Sequence, residues 1–148
     1  MDIQLGDISH TIQLAIAPVF LLTGVGTNLM VLTNRLGRII DRSRVLEDRL
    51  PSADEMDKAE CRTELQTLYV RAHLINRAIT LSTSCALLIC LVIASLFLGN
   101  ALNLALANVI AALFVLAMLA LIGSFVFLLR EIFTSTRTFS NRVLTTRK

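Results

Sequence analysis

A chain of 148 residues suffices for one domain, but 55% of its residues are hydrophobic and only 17% charged, with a mean hydropathy of +0.70; that excludes an ordinary soluble globular domain. The formal net charge of +3 comes with one tyrosine and no tryptophan, so the aromatic-studded basic face of a nucleic-acid binder is missing. Cys61, Cys85 and Cys90 are odd in number and form no CxxC pair. They support neither a disulfide framework nor a metal centre, imply no cofactor, and read as small packing residues.

Three runs contain no Asp, Glu, Lys or Arg: Ile12–Thr33, Ala78–Leu98 and Leu104–Leu129. Each reaches the roughly 20 residues that a helix needs to cross a hydrocarbon core of ~30 Å. Burying three such runs in a soluble core needs a polar shell, and the chain has no residues left to build one. The expected architecture is all-α and integral to a membrane. It is a single domain over residues 1–148, with transmembrane helices at about 12–33, 78–98 and 104–129, a helical hairpin at about 34–77 and a basic tail at 130–148.

Residues 1–11 carry two acids and no Lys or Arg, so the positive leader of a cleavable signal peptide is absent. Asp7 or Ser9 is expected to cap the first helix, and His10 reads as a polar anchor rather than a pH sensor. In the first run, Pro18 removes a backbone donor and predicts a bend. With Gly24 and Gly26 it forms a hinge, and the glycines permit close approach by a neighbour. Thr23, Thr27 and Asn28 need hydrogen-bond partners at membrane depth. At 100° per residue, Gln13, Phe20, Thr23, Thr27, Asn34, Arg38 and Asp41 fall within roughly 40° of one line, with Ile16 and Val31 beside them. The Thr23-Gly24-Val25-Gly26 run has the flavour of a potassium filter, but inside a helix it cannot form that loop.

No turn signal separates the first apolar run from the charged segment after it, so one helix is expected from Ile12 to Leu50. Beyond Asn34 its apolar positions fall into a heptad seam, Leu36, Ile39, Ser43, Leu46 and Leu50. Pro51 ends that helix, and Ser52-x-x-Glu55 reads as a capping box for the next. The returning helix places Cys61, Leu65, Leu68, Ala72, Ile75 and Ile79 on a matching seam, so the two arms form an antiparallel, coiled-coil-like hairpin. Nine cations and eight acids between Asn34 and Ala78 nearly cancel, with Arg38/Asp41, Arg44/Asp48 and Asp54/Lys58 spaced for helix-surface ion pairs.

In the second run, Ser82, Ala86, Cys90 and Ala94 form a stripe of small side chains suited to helix packing in lipid. Gly99 is the expected C-cap of that helix, opening a turn to Asn103. The third run, poor in polar groups, faces lipid, with Ala120 and Ser124 a smaller small-residue pair. The tail holds five cations and one acid, with Ile132, Phe139 and Val143 at helical spacing. It is expected either to lie on the inner leaflet or to end frayed in solvent. All 14 Lys and Arg fall in the hairpin segment or the tail, so the positive-inside rule puts the N-terminus outside and the hairpin and C-terminus in the cytoplasm.

Two blocks, IQLAIAPVFLLTGVGTNLMVLTNRLGRIIDRSR (Ile12–Arg44) and YVRAHLINRAITLSTSCALL (Tyr69–Leu88), resemble a family of small bacterial and cyanobacterial inner-membrane proteins known only as a domain of unknown function. The resemblance runs from about Ile12 to Leu129 and implies three membrane helices in a bacterial plasma membrane. It brings no activity and no site residues.

No run contains an acid, HExxH and GxSxG are absent, and His10 and His73 fall on opposite sides of the bilayer, so an enzyme is not expected. The sharper expectation is a homo-oligomeric pore lined by Gln13, Phe20, Thr23, Thr27, Asn34, Arg38 and Asp41. Phe20 would form the constriction and the charged pair the cytoplasmic mouth. The alternative is an assembly or scaffold protein acting through the hairpin. Lipid, further copies of the chain and ions are the expected partners.

Overall fold

The structure is a computed structural model that describes the backbone of residues 5–52, 54–102 and 106–145 and the side chains of 9–52, 54–102 and 106–135. It is all-α in these residues. Helix α1 spans Leu5–Arg49, a short 3-10 turn follows at Leu50–Ser52, and α2 (Glu55–Leu102) and α3 (Ala107–Thr145) complete the chain. All three helices contain stretches long and apolar enough to cross a membrane.

Helix α1 is unbroken through Pro18 and through the junction at Asn34, so the apolar run and the charged segment are one helix. It begins at Leu5, ahead of the expected caps; Ser9 lies inside the helix, and the side chain of Asp7 is outside the described residues. Pro51 sits in the 3-10 turn, as its missing N–H favours. The capping box does not form. The Ser52 hydroxyl donates to the Arg49 carbonyl at 3.2 Å, closing the end of α1, while the Asp54 carbonyl accepts the Lys58 N–H at 2.9 Å and starts α2.

Gly99 is not a C-cap either, because α2 runs on to Leu102. Residues 103–105, where the expected turn ends, lie outside the described set; the Leu106 carbonyl accepts the Ile110 N–H and opens α3. No boundary falls at Arg130, because α3 carries the expected third span and most of the expected tail in one helix. The side chains of Phe139 and Val143 lie outside the described residues. The sequence-local ion pairs give way to others. Lys58 pairs with Glu55 at 2.9 Å, whose longer side chain reaches where Asp54, at the helix start, does not, and no pair forms between Arg38 and Asp41 or Arg44 and Asp48.

The chain divides into two compact units, Met1–Leu29 with Thr80–Gly123, and Met30–Ile79 with Ser124–Lys148, each drawing on all three helices. In the first, Val25, Cys85, Ile89, Ala117 and Leu121 form the apolar core. Asn28 donates to the Ser82 hydroxyl at 3.2 Å in its buried interior. Gly123 is placed so closely that a Cβ there would stand 3.1 Å from Leu81 Cδ1.

In the second unit, Leu32, Ile39, Leu46, Leu68, Ile75 and Ala78 are buried together. Leu36, Cys61, Leu65 and Ala72 pack against them, so α1 and α2 meet along the heptad positions. Arg35 of α1 shares a carboxylate with Arg71 of α2, and Arg42 further along α1 bonds Glu64 earlier in α2 at 2.9 Å; the two arms are therefore antiparallel. Helix α3 joins through the Ser124 hydroxyl, which donates to the Ala78 carbonyl at 2.9 Å, and through Phe127, whose ring centroid lies 6.0 Å from the Arg77 guanidinium.

Candidate functional site

The most unusual side chain in the described residues is Glu131 on α3, an acid with 0% exposure. A carboxylate stripped of water persists only when its charge is matched and its lone pairs are satisfied. Here Arg71 directs both Nε and Nη2 at Oε1, at 3.0 and 2.8 Å, and Arg35 directs Nη1 at Oε2. The three residues come from three different helices. The two guanidinium side chains keep 31% and 24% exposure, so the acid is sealed while the cations still touch solvent.

Around this triad lies a cavity of about 450 Å³, into which Arg38, Arg42 and Ser135 also face. Its walls hold more cation than anion. Glu131 answers two guanidiniums, Glu64 accepts from Nε of Arg42, and Arg38 has no partner among the described residues. Neither composition nor heptad spacing marks Glu131, since a lone acid among tail cations reads as part of a solvated end. The signal was positional: Glu131 stands two residues past the third charge-free run, and Arg35 two past the first.

The seven residues of the α1 stripe, Gln13, Phe20, Thr23, Thr27, Asn34, Arg38 and Asp41, are all exposed in the protomer, with Phe20 at 74%. Thr27 bonds the Thr23 carbonyl at 3.1 Å and Thr23 the Val19 carbonyl at 3.4 Å, so their hydroxyls are satisfied within α1. Gly24 and Gly26 have open space where a Cβ would stand, while Pro18 is buried. On α2, Ser82 is buried and Ala86 partly so, whereas Cys90 and Ala94 are exposed. Of the seam residues, Leu36, Ile39, Leu46, Cys61, Leu65, Leu68, Ala72 and Ile75 share one cluster, and Leu50 is half-buried at the turn.

A second, mostly apolar cavity of about 830 Å³ lies in the first unit, with His10, Thr11 and Asn100 among its walls. Among the described residues no cluster of His, Cys, Asp or Glu is arranged to hold a metal ion. Tyr69 on the exposed side of α2 donates to Glu47 at 2.8 Å; that hydrogen bond and the Glu47 charge push its phenol pKa above the usual 10.0.

A family model for proteins of unknown function matches residues 15–140, a stretch that contains Arg35, Arg71 and Glu131. The chain belongs to the DUF2721 family. No curated protein and no solved structure matches it. The family model carries no activity.

Proposed function

We propose that the chain is a multi-pass protein of a bacterial plasma membrane that works as a homo-oligomer, its first helices gathered around an ion-conducting pore. Only 17% of each apolar window is buried within the protomer, so lipid or further copies must cover the rest. The observation that carries the pore is the α1 stripe. Its seven residues lie on one face, and all are left exposed. Gly24 and Gly26 on α1 add open space for a neighbouring backbone. In a ring, Phe20 narrows the path, Thr23 and Thr27 offer their hydroxyl oxygens, and Arg38 and Asp41 form the mouth.

The N-terminus is then outside and the hairpin and α3 C-terminus cytoplasmic, following the distribution of Lys and Arg. Mass measurement in mild detergent should give a closed oligomer. Liposome flux should change in conductance with Phe20→Ala and in charge selectivity with Arg38→Glu. A strictly monomeric species, or flux that both substitutions leave unaltered, sinks the pore.

The second reading is an assembly protein acting through the hairpin, favoured by the apolar side chains exposed there, Met56 at 89%, Tyr69 at 60% and Val70 at 51%. The heptad seam itself is occupied within the protomer, so a partner would have to take this outer surface.

A further inference from the structure

We infer that the cavity beside Glu131 is a binding site for a phosphate group, with the headgroup of an anionic phospholipid as its source. The inference rests on the membrane reading of the three apolar runs and not on the pore.

Four arginines, Arg35, Arg38, Arg42 and Arg71, line this one cavity. Their carboxylate partners, Glu131 and Glu64, leave many donors unused. Among the described residues Arg35 bonds through Nη1, Arg42 through Nε and Arg71 through Nε and Nη2, while Arg38 has no partner there. Planar, permanently charged guanidiniums at close quarters match the oxygens of a phosphate in paired, parallel hydrogen bonds. Ser135 adds a hydroxyl to the same wall. Glu131 acts here as a positioning residue, fixing Arg35 and Arg71 by bonds on both of its oxygens so that their remaining N–H groups are preoriented.

The remaining walls are Ile39, Leu68 and Ile132. An apolar wall next to an arginine cluster suits an amphiphile better than a free ion. The location agrees. Arg35 and Glu131 each follow a charge-free run by two residues, the depth at which a leaflet presents its headgroup phosphates. Clusters of basic residues at the cytoplasmic end of membrane helices attract anionic lipid by the same electrostatics.

The test uses the full chain in a neutral detergent, titrated calorimetrically with short-chain phosphatidylglycerol, with phosphatidylcholine of the same chain length, and with inorganic phosphate. Phosphatidylglycerol should bind about tenfold more tightly than phosphatidylcholine, and Arg38→Gln should remove about tenfold of that affinity. Arg38→Gln should leave the melting temperature unchanged, because Arg38 is exposed and has no partner among the described residues. Arg42→Gln should weaken binding in the same direction. If phosphate binds and Arg38→Gln weakens it while the two lipids bind alike, the phosphate site stands and the lipid source is overturned. If Arg38→Gln alters none of the three titrations, the site is overturned. Absence of liposome flux from the unsubstituted chain, with phosphatidylglycerol binding intact, sinks the pore alone.

Discussion

Replacing Glu131 by glutamine removes the charge that holds α1, α2 and α3 together while keeping the side-chain volume. Each guanidinium–carboxylate pair, with charges about 4 Å apart and an effective dielectric near 20, is worth roughly 4 kcal/mol of Coulomb attraction. Against two such pairs stands the cost of dehydrating the fully buried acid, several kcal/mol. The arginines keep 31% and 24% of their side-chain surface in contact with solvent, which softens the penalty of stranding them. The net loss for Glu131→Gln should be about 2–4 kcal/mol, or a melting temperature lower by about 6–12 °C for a chain of this size. The measurement is reversible unfolding in mixed micelles, followed by far-ultraviolet circular dichroism. Adding Arg71→Met to Glu131→Gln should cost little more, because the partner is already gone. The triple replacement Arg35→Met, Arg71→Met, Glu131→Leu should recover much of the loss, since an apolar core of equal volume carries no stranded charge. A Glu131→Gln protein within about 0.5 kcal/mol of the parent refutes the argument.

Ile75, fully buried in the second unit, should lose about 2–5 kcal/mol on truncation to alanine, while Phe20→Ala should stay within about 0.5 kcal/mol in a monomeric preparation; the same unfolding assay reads both. Gly24→Ala should gain about 0.5–1 kcal/mol of helix stability in the isolated protomer, yet weaken the oligomer if a neighbouring backbone fills the open space there, which sedimentation in detergent distinguishes. Tyr69 is the only tyrosine, so an absorbance titration reports it alone, and Glu47→Gln should bring its raised pKa back toward 10.0. Because the folded value is the higher one, the Tyr69–Glu47 contribution to stability is present in full below pH 10.0 and fades as pH climbs through the folded value. In a background without native cysteines, a thiol at Asn100 should react with an impermeant reagent added outside intact cells and one at Met56 should not, and the reverse pattern overturns the orientation.

The three helices long and apolar enough to cross a membrane were legible because an uninterrupted stretch with no charge is written residue by residue. The hairpin was legible for a related reason. Leu36, Ile39, Leu46 and their α2 counterparts repeat at heptad spacing, and the structure buries them together. Local punctuation was read less well. Ser52 and Gly99 have the right chemistry for caps, but Ser52 turns back to the Arg49 carbonyl, and α2 runs through Gly99 to Leu102. Such signals are worth about 1 kcal/mol, little enough for the packing of long helices to override. Glu131 stands out by its position after the third charge-free run, but its pairing was illegible for a different reason. Its partners lie 60 and 96 residues away, and no local pattern announces a contact between helices. The short-range ion pairs drawn from spacing failed in the same way, with Arg42 finding Glu64 across the hairpin.

The Glu131 clamp also sets an order of assembly. Arg35 and Arg71 belong to the first two helices, and the acid that gathers them arrives only with the third. Before α3 is added both arginines are bare cations, and in the orientation proposed above they would act at full strength to hold their side of the chain in the cytoplasm. Once α3 is in place, the same charges are turned inward and become the fastening of the bundle. In that orientation the charges that would direct the topology of the first two helices are the same ones that fasten them to the third.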